Sequence, residues 1–207
     1  MTATATTRSL ADKIVLVTGA SRGIGYQAAL EAAKRGAHVI AVARTVGGLE
    51  ELDDEIQAAG SSSTLVPLDL RDFDDHAAFD RLLSTADVLV TNMRPGALER
   101  LELGPDRVCA RHPGLVYGAI SGYGLDGEDR DRAGYDIGAF WARSGLAHTM
   151  VPPGEMPPGL RSGMGDHQTG MTLVAGVMAK LFERQRTGRG GLVSTSLLRT
   201  GMYSIAW

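Results

Sequence analysis

The sequence is poor in cysteine, in lysine, in net charge and in long apolar runs. Its single cysteine, Cys109, excludes an intramolecular disulfide framework and fits a reducing compartment such as the cytoplasm. The formal net charge of −3 carries no basic excess, which argues against nucleic acid as a partner. No stretch approaches the roughly 18 apolar residues of a membrane span. Residues 1–10 are rich in threonine and lack an apolar segment, so they read as a disordered leader and not as a signal peptide. Glycine, by contrast, is abundant at 27 of 207 residues, against a usual share of about 7%. Hydrophobic residues at 43% and charged residues at 22% describe a globular chain of one domain, or at most two small ones.

Apolar runs and helical spacings alternate along the first half. Ile14-Val15-Leu16-Val17 predicts a buried strand, residues 24–35 a helix stopped by Gly36, and residues 38–43 a second strand. Residues 49–59 predict an acidic amphipathic helix closed by Gly60, and residues 65–68 a strand weakened by Pro67. A helix over 75–86, a strand over 87–90, an uneven helix over 96–111 and a strand over 115–121 follow. This β-α alternation implies an α/β fold: a doubly wound parallel sheet of about five strands, Rossmann-like, with a topological switch point beside the first strand. Beyond it, the pattern predicts a loop over 122–134, a helix over 135–148, a Pro/Gly loop over 151–165, a helix over 170–186, a short strand over 192–197 and the start of a further helix. The expected organisation is a nucleotide-binding region over 11–124 and an incomplete second part over 125–207 packed on the same sheet.

Two groups of glycines carry chemistry. In the first, Gly19, Gly23 and Gly25 lie between a strand and a helix, where the turn is tight and a phosphate meets free helix N–H groups. Residues 13–25, KIVLVTGASRGIG, resemble the short-chain dehydrogenase/reductase family, and the likeness extends over about residues 11–75. It implies an NADP(H) cradle built from Gly19, Ser21, Arg22, Gly23, Ile24 and Gly25, with Arg44 on the 2′-phosphate and Asp69 and Leu70 at the adenine. The reductase chemistry of that family needs a Tyr-x-x-x-Lys dyad. The lysines here are Lys13, Lys34 and Lys180, and none has a tyrosine four residues before it.

The second group lies in a different text. ADVLVTNMRPGALERLELG at 86–104, LVYGAISGYG at 115–124, RDRAGYDIGAFWARSG at 130–145 and GMGDHQTGM at 163–171 resemble the family III CoA-transferases, the CaiB/BaiF group that includes formyl-CoA transferase and the α-methylacyl-CoA racemases. The likeness continues to the end of the chain, and the crossover from the first resemblance falls near residues 68–75. It implies a hybrid chain that stops before the family's smaller domain, with CoA or an acyl-CoA as substrate and a homodimer as the expected assembly. It implies nucleophilic catalysis by Asp166, whose carboxylate attacks an acyl-CoA thioester. Asn92, Met93, Ala97 and Arg100 fall on CoA-contacting positions. Tyr135 matches an active-site tyrosine of the transferases where the racemases have histidine. Read from the residues alone, Asp166 also serves as a plain helix N-cap and Tyr135 as a packed aromatic. His76, His112 and His148 form no cluster, so no metal site is expected. The leading expectation is a CoA-transferase acting through an aspartyl-CoA thioester. The alternatives are an NADP(H)-dependent oxidoreductase of the short-chain type and a non-catalytic nucleotide-binding remnant.

Overall fold

The computed structural model describes residues 10–69, 73–152 and 154–206. Residues 1–9 of the expected leader, and Leu70, lie outside them. The chain divides into two compact units, Met1–Val90 and Thr91–Trp207. Among the described residues six strands are present, four running through the first unit and two in the second.

The first unit runs β1 (Ile14–Thr18), α1 (Gly23–Lys34), β2 (His38–Ala43), α2 (Val46–Ala58), β3 (Ser62–Pro67), α3 (Phe73–Leu83) and β4 (Val88–Thr91). Its strands are ordered β3-β2-β1-β4 and pair in parallel, with Ile14 opposite His38 and Val15 opposite Val88. The chain crosses over after β3 to reach the other side of β1, which creates the switch point beside β1. The core between sheet and helices is built from Ala20, Ala29, Leu30, Ala33, Val39, Ala41, Leu49, Leu52 and Ile56. So many alanines bring helix and sheet backbones close together, and few aromatic side chains are needed to fill the space.

Both predicted glycine stops hold. Gly36 and Gly60 adopt φ of +96° and +76°, and each closes a double hydrogen-bonded end. Gly36 N donates to Ala33 O and Ala37 N to Ala32 O; Gly60 N donates to Gln57 O and Ser61 N to Ile56 O. β3 starts three residues earlier than its apolar run because Ser62 and Thr64 pair with β2, and the His38 ring bonds both hydroxyls at 2.8 Å. Pro67 is tolerated as the last residue of an edge strand.

The second unit runs α4 (Pro95–Arg100), α5 (Pro105–Arg111), β5 (Val116–Ser121), a π-helix (Asp136–Ala142), α6 (Leu146–Thr149), α7 (Met164–Thr187), β6 (Gly191–Ser196) and α8 (Leu197–Tyr203). β5 and β6 pair in parallel from Val116–Gly191 to Ser121–Ser196. Ala139, Phe140, Trp141, Leu146, Ala147 and Leu197 form its core.

Three expectations are corrected here. The helix expected over 96–111 is two helices, each opened by proline at its first position. Between them Glu102 takes φ of +56°, with Leu103 N donating to Leu98 O and Glu102 N to Glu99 O. The helix expected over 135–148 is a π-helix and a separate short helix, divided at Gly145, whose φ is +93°. The helix expected from 170 begins at Met164, inside the stretch read as a Pro/Gly loop.

Candidate active site

The early start of α7 decides where Asp166 stands. Gly163 is the N-cap, with φ of +80° and no capping side chain, so Asp166 is the third helical residue. The reading of Asp166 as an N-cap, and its placement before the helix, are therefore corrected: it lies within the first turn. An exposed carboxylate there faces the positive end of a 24-residue helix.

What folds this glycine-rich stretch into a helix is a partner from another element. Asp136, in the first turn of the π-helix, accepts a hydrogen bond from Gly165 N through Oδ1 at 2.9 Å. Gly165 is buried, and a Cβ at that position would stand 2.2 Å from Phe140 Cγ and 2.3 Å from Asp136 Oδ1. The glycine thus serves the approach of the π-helix to α7. One turn on, the Thr169 hydroxyl donates to Gly165 O at 2.7 Å and is buried.

Tyr135 and Asp166, two of the expected site residues, directly adjoin in sequence the two residues joined by this bond, Asp136 and Gly165. Tyr135 is the N-cap of the π-helix and is 74% exposed, so it is not the packed aromatic of the alternative reading. Asp136 is the residue that sequence reasoning missed. Its only signal is an acid directly after Tyr135 in the GYDIG segment. Its second oxygen, Oδ2, is buried with no hydrogen-bond partner. Burial and, next, the negative charge of Asp136 hold the Asp166 carboxyl above the ordinary aspartate range, and His167 opposes them.

Asn92 and Met93 directly follow β4, and Ala97 and Arg100 lie on α4, with Asn92 and Arg100 exposed. Met93 N donates to the Thr91 hydroxyl. The loop before the π-helix is tied to this segment: Asp131 Oδ1 accepts from Gly96 N at 2.6 Å, and Arg130 pairs with Glu99 at 2.8 Å.

In the first unit, the expected nucleotide residues gather at the C-terminal edge of the parallel strands. Gly19 N and Ala20 N donate to Val42 O, and Leu68 N to Ala43 O, which draws the turns after β1, β2 and β3 together. Gly25 is required by this turn, because a Cβ there would lie 2.4 Å from Gly19 O. Arg22 is the N-cap of α1 and Arg44 directly follows β2; both are exposed, and Ser21 is half-buried. Asp69 follows β3 and is half-buried. The backbone of Ile24 lies in the first turn of α1. Among the described residues, no helix is long and apolar enough to cross a membrane.

Comparison with known proteins places these features. The sequence is 38% identical over 125 residues to (R)-2-hydroxy-4-methylpentanoate CoA-transferase of Clostridioides difficile, covering 60% of this chain and 31% of that protein. It is 33% identical over 175 residues to α-methylacyl-CoA racemase of Mus musculus, covering 83% of this chain and 44% of that protein. The chain therefore spans less than half the length of these curated relatives. The fold matches a crystal structure of the protein Rv3272 from Mycobacterium tuberculosis with a TM-score of 0.74 and 27% identity, over 95% of this chain and 56% of that one. The family profile matches residues 33–207, so it begins within the segment that resembles the dehydrogenases and takes in α2, β3 and α3 as well as the whole second unit. By that match the chain belongs to CoA-transferase family III.

Proposed function

We propose that this chain is the nucleophile-bearing part of a CoA-transferase that moves CoA between carboxylic acids through Asp166. The observation that carries the reading is an exposed carboxylate in the first turn of α7, on the residue after Gly165, whose N–H is held by Asp136, the residue after the exposed Tyr135. An Asp166 oxygen attacks the thioester carbonyl of an acyl-CoA. The C–S bond breaks, CoA leaves as thiolate, and an aspartyl-acyl anhydride remains. The thiolate then attacks the aspartyl carbonyl, releases the donor carboxylate and leaves an aspartyl-CoA thioester. The acceptor carboxylate repeats the two steps in reverse order and regenerates Asp166. Asn92, Met93, Ala97 and Arg100 contact CoA in this reading, with the Arg100 guanidinium on a phosphate.

Tyr135 favours transfer over racemisation. The racemases of the resemblance carry histidine there, and exchange of an α-proton needs a base that a phenol does not readily supply. Incubation with a panel of acyl-CoAs followed by hydroxylamine should yield a hydroxamate on Asp166 and none in Asp166→Asn. Absence of the adduct with every acyl-CoA, or α-deuterium exchange without it, rejects the transferase reading.

A second reading concerns the first unit. The open backbone at Gly19 and Gly23, where an added Cβ would meet nothing within 4 Å, supports a nucleotide at the turn before α1. Arg22 and Arg44 suit the 2′-phosphate of NADP(H), consistent with a hybrid ancestry for residues 11–75. Such a site serves either a short-chain-type oxidoreductase or a binding remnant without turnover. A thermal-shift comparison of NADPH, NADH and CoA separates these ligands, since only one that binds the folded state raises Tm. No shift with NADPH rejects this reading.

A further inference from the structure

We propose that Asp136 is the positioning residue of Asp166: it fixes the first turn of α7 through the Gly165 N–H and, by its own charge, drives Asp166 toward its uncharged acylated state. The proposal rests on the reading of Asp166 as nucleophile.

Three observations support it. A helix leaves its first N–H groups without intrahelical partners, and a side chain at the N-cap usually takes one of them. Gly163 has no side chain to do so. Asp136 supplies the missing acceptor from the π-helix, on the N–H of the residue immediately before Asp166. A backbone held at Gly165 fixes the point and direction from which the Asp166 side chain leaves α7.

The second observation is the unmatched oxygen. Asp136 Oδ2 is buried and accepts no hydrogen bond, so the charge of this carboxylate is only partly offset. The charge of Asp136 acts on Asp166, one residue beyond the Gly165 contact, and His167 on the same turn opposes it. Two carboxylates side by side raise the free energy of the doubly ionised state. Conversion of Asp166 to an anhydride or thioester removes its charge and relieves the repulsion. No bond to Asp136 forms or breaks.

The third is steric. Gly165 and Phe140 meet so closely that a side chain at 165 would displace Asp136, so the sequence reserves this position for the carboxylate contact.

Asp136→Asn keeps an acceptor for Gly165 N–H and removes the charge; Asp136→Ala removes both. The test uses carboxyl and amide NMR on the whole chain. In Asp136→Asn the titration midpoint of Asp166 should fall toward the ordinary aspartate range while the Gly165 amide proton stays in its hydrogen-bonded position. In Asp136→Ala both should move. In the unmodified protein the Gly165 amide shift should follow the titration of Asp136, which decides the matter should the alanine variant not fold. The trapped Asp166 adduct should fall severalfold in Asp136→Asn, with the KM for acyl-CoA unchanged. An unchanged Asp166 midpoint in Asp136→Asn, an unmoved Gly165 amide in folded Asp136→Ala, or an adduct level that follows KM instead overturns the proposal. If the unmodified protein forms no adduct while the NMR behaviour is as expected, the nucleophile reading fails and the positional role stands.

Discussion

Asp136 caps α7 from outside it: its Oδ1 accepts the Gly165 backbone N–H at 2.9 Å, twenty-nine residues away in the chain. The bond joins the start of the π-helix to the start of α7. Tyr135 and Asp166 flank it in sequence, so the most chemically pointed part of the second unit is organised around a backbone contact, not around a side-chain pair.

The two glycines at either side of Asp166 should therefore respond in opposite ways to alanine. At Gly165 an added Cβ overlaps Phe140 and Asp136, and the rings and backbone around it are buried. Gly165→Ala should cost about 1–3 kcal/mol, the usual penalty for overpacking. At Gly170 a Cβ meets nothing within 4 Å, and the residue sits in the interior of α7. Gly170→Ala should gain about 0.5–1 kcal/mol by reducing the freedom of the unfolded chain. Urea melts of the two variants, run side by side, check both signs.

How much of this was legible in the sequence differs between the units. In the first, strands and helices alternate with clear apolar runs, and Gly36 and Gly60 end their helices where the sequence places the stops. There the local signals and the fold agree. In the second unit the signals for α7 conflict with its fold. Its first turn carries Gly165 and a polar run, both poor in helix propensity, and the stabilising acceptor comes from Asp136 in a distant segment. Propensity cannot report a long-range acceptor. The same holds for the π-helix: Phe140 and Trp141 pack into the core, and no α-helical period in the sequence reports its wider turn. Asp166 and Tyr135 were legible only through the resemblance of their motifs. Asp136, between a named residue and an apolar run, was not legible as a partner at all.

Tyr117 offers a test of the second unit's core. Its ring is fully buried on β5, and its hydroxyl donates to Leu103 O at 2.8 Å. Burial pushes the phenol above its ordinary pKa, which keeps it protonated and donating at neutral pH. Tyr117→Phe removes the donor and leaves a carbonyl without that partner. The expected loss is about 1 kcal/mol, read as a lower urea midpoint at unchanged slope.

Glu102 sits in a conformation that favours glycine. Its φ of +56° lies in the left-handed region, which costs a side-chain-bearing residue roughly 1–2 kcal/mol. Its carboxylate pairs with Arg107 at 2.7 Å, but both side chains are about half exposed, and such pairs contribute about 0–1 kcal/mol. The backbone strain outweighs the ion pair. Glu102→Gly should therefore raise Tm at moderate salt, and the gain should grow as salt screens the pair in the parent protein. A lower Tm at every salt concentration contradicts this ordering.

Asp166 itself should make the fold less stable when ionised. Burial and Asp136 raise its folded-state pKa above the unfolded value of about 3.9. A group shifted upward contributes its full stability below the unfolded pKa, and that contribution is lost as pH rises through the folded one. Near neutral pH, Asp166 is charged beside Asp136 and the contribution is gone. Asp166→Asn keeps the shape and has no charge to lose. Its Tm should exceed that of the parent protein near pH 7, and the difference should shrink as pH falls toward about 4. The attraction between a carboxylate and the positive end of α7 acts in the opposite sense. Were it the larger effect, Asp166→Asn would melt lower near neutral pH, and the difference between the two proteins would change sign.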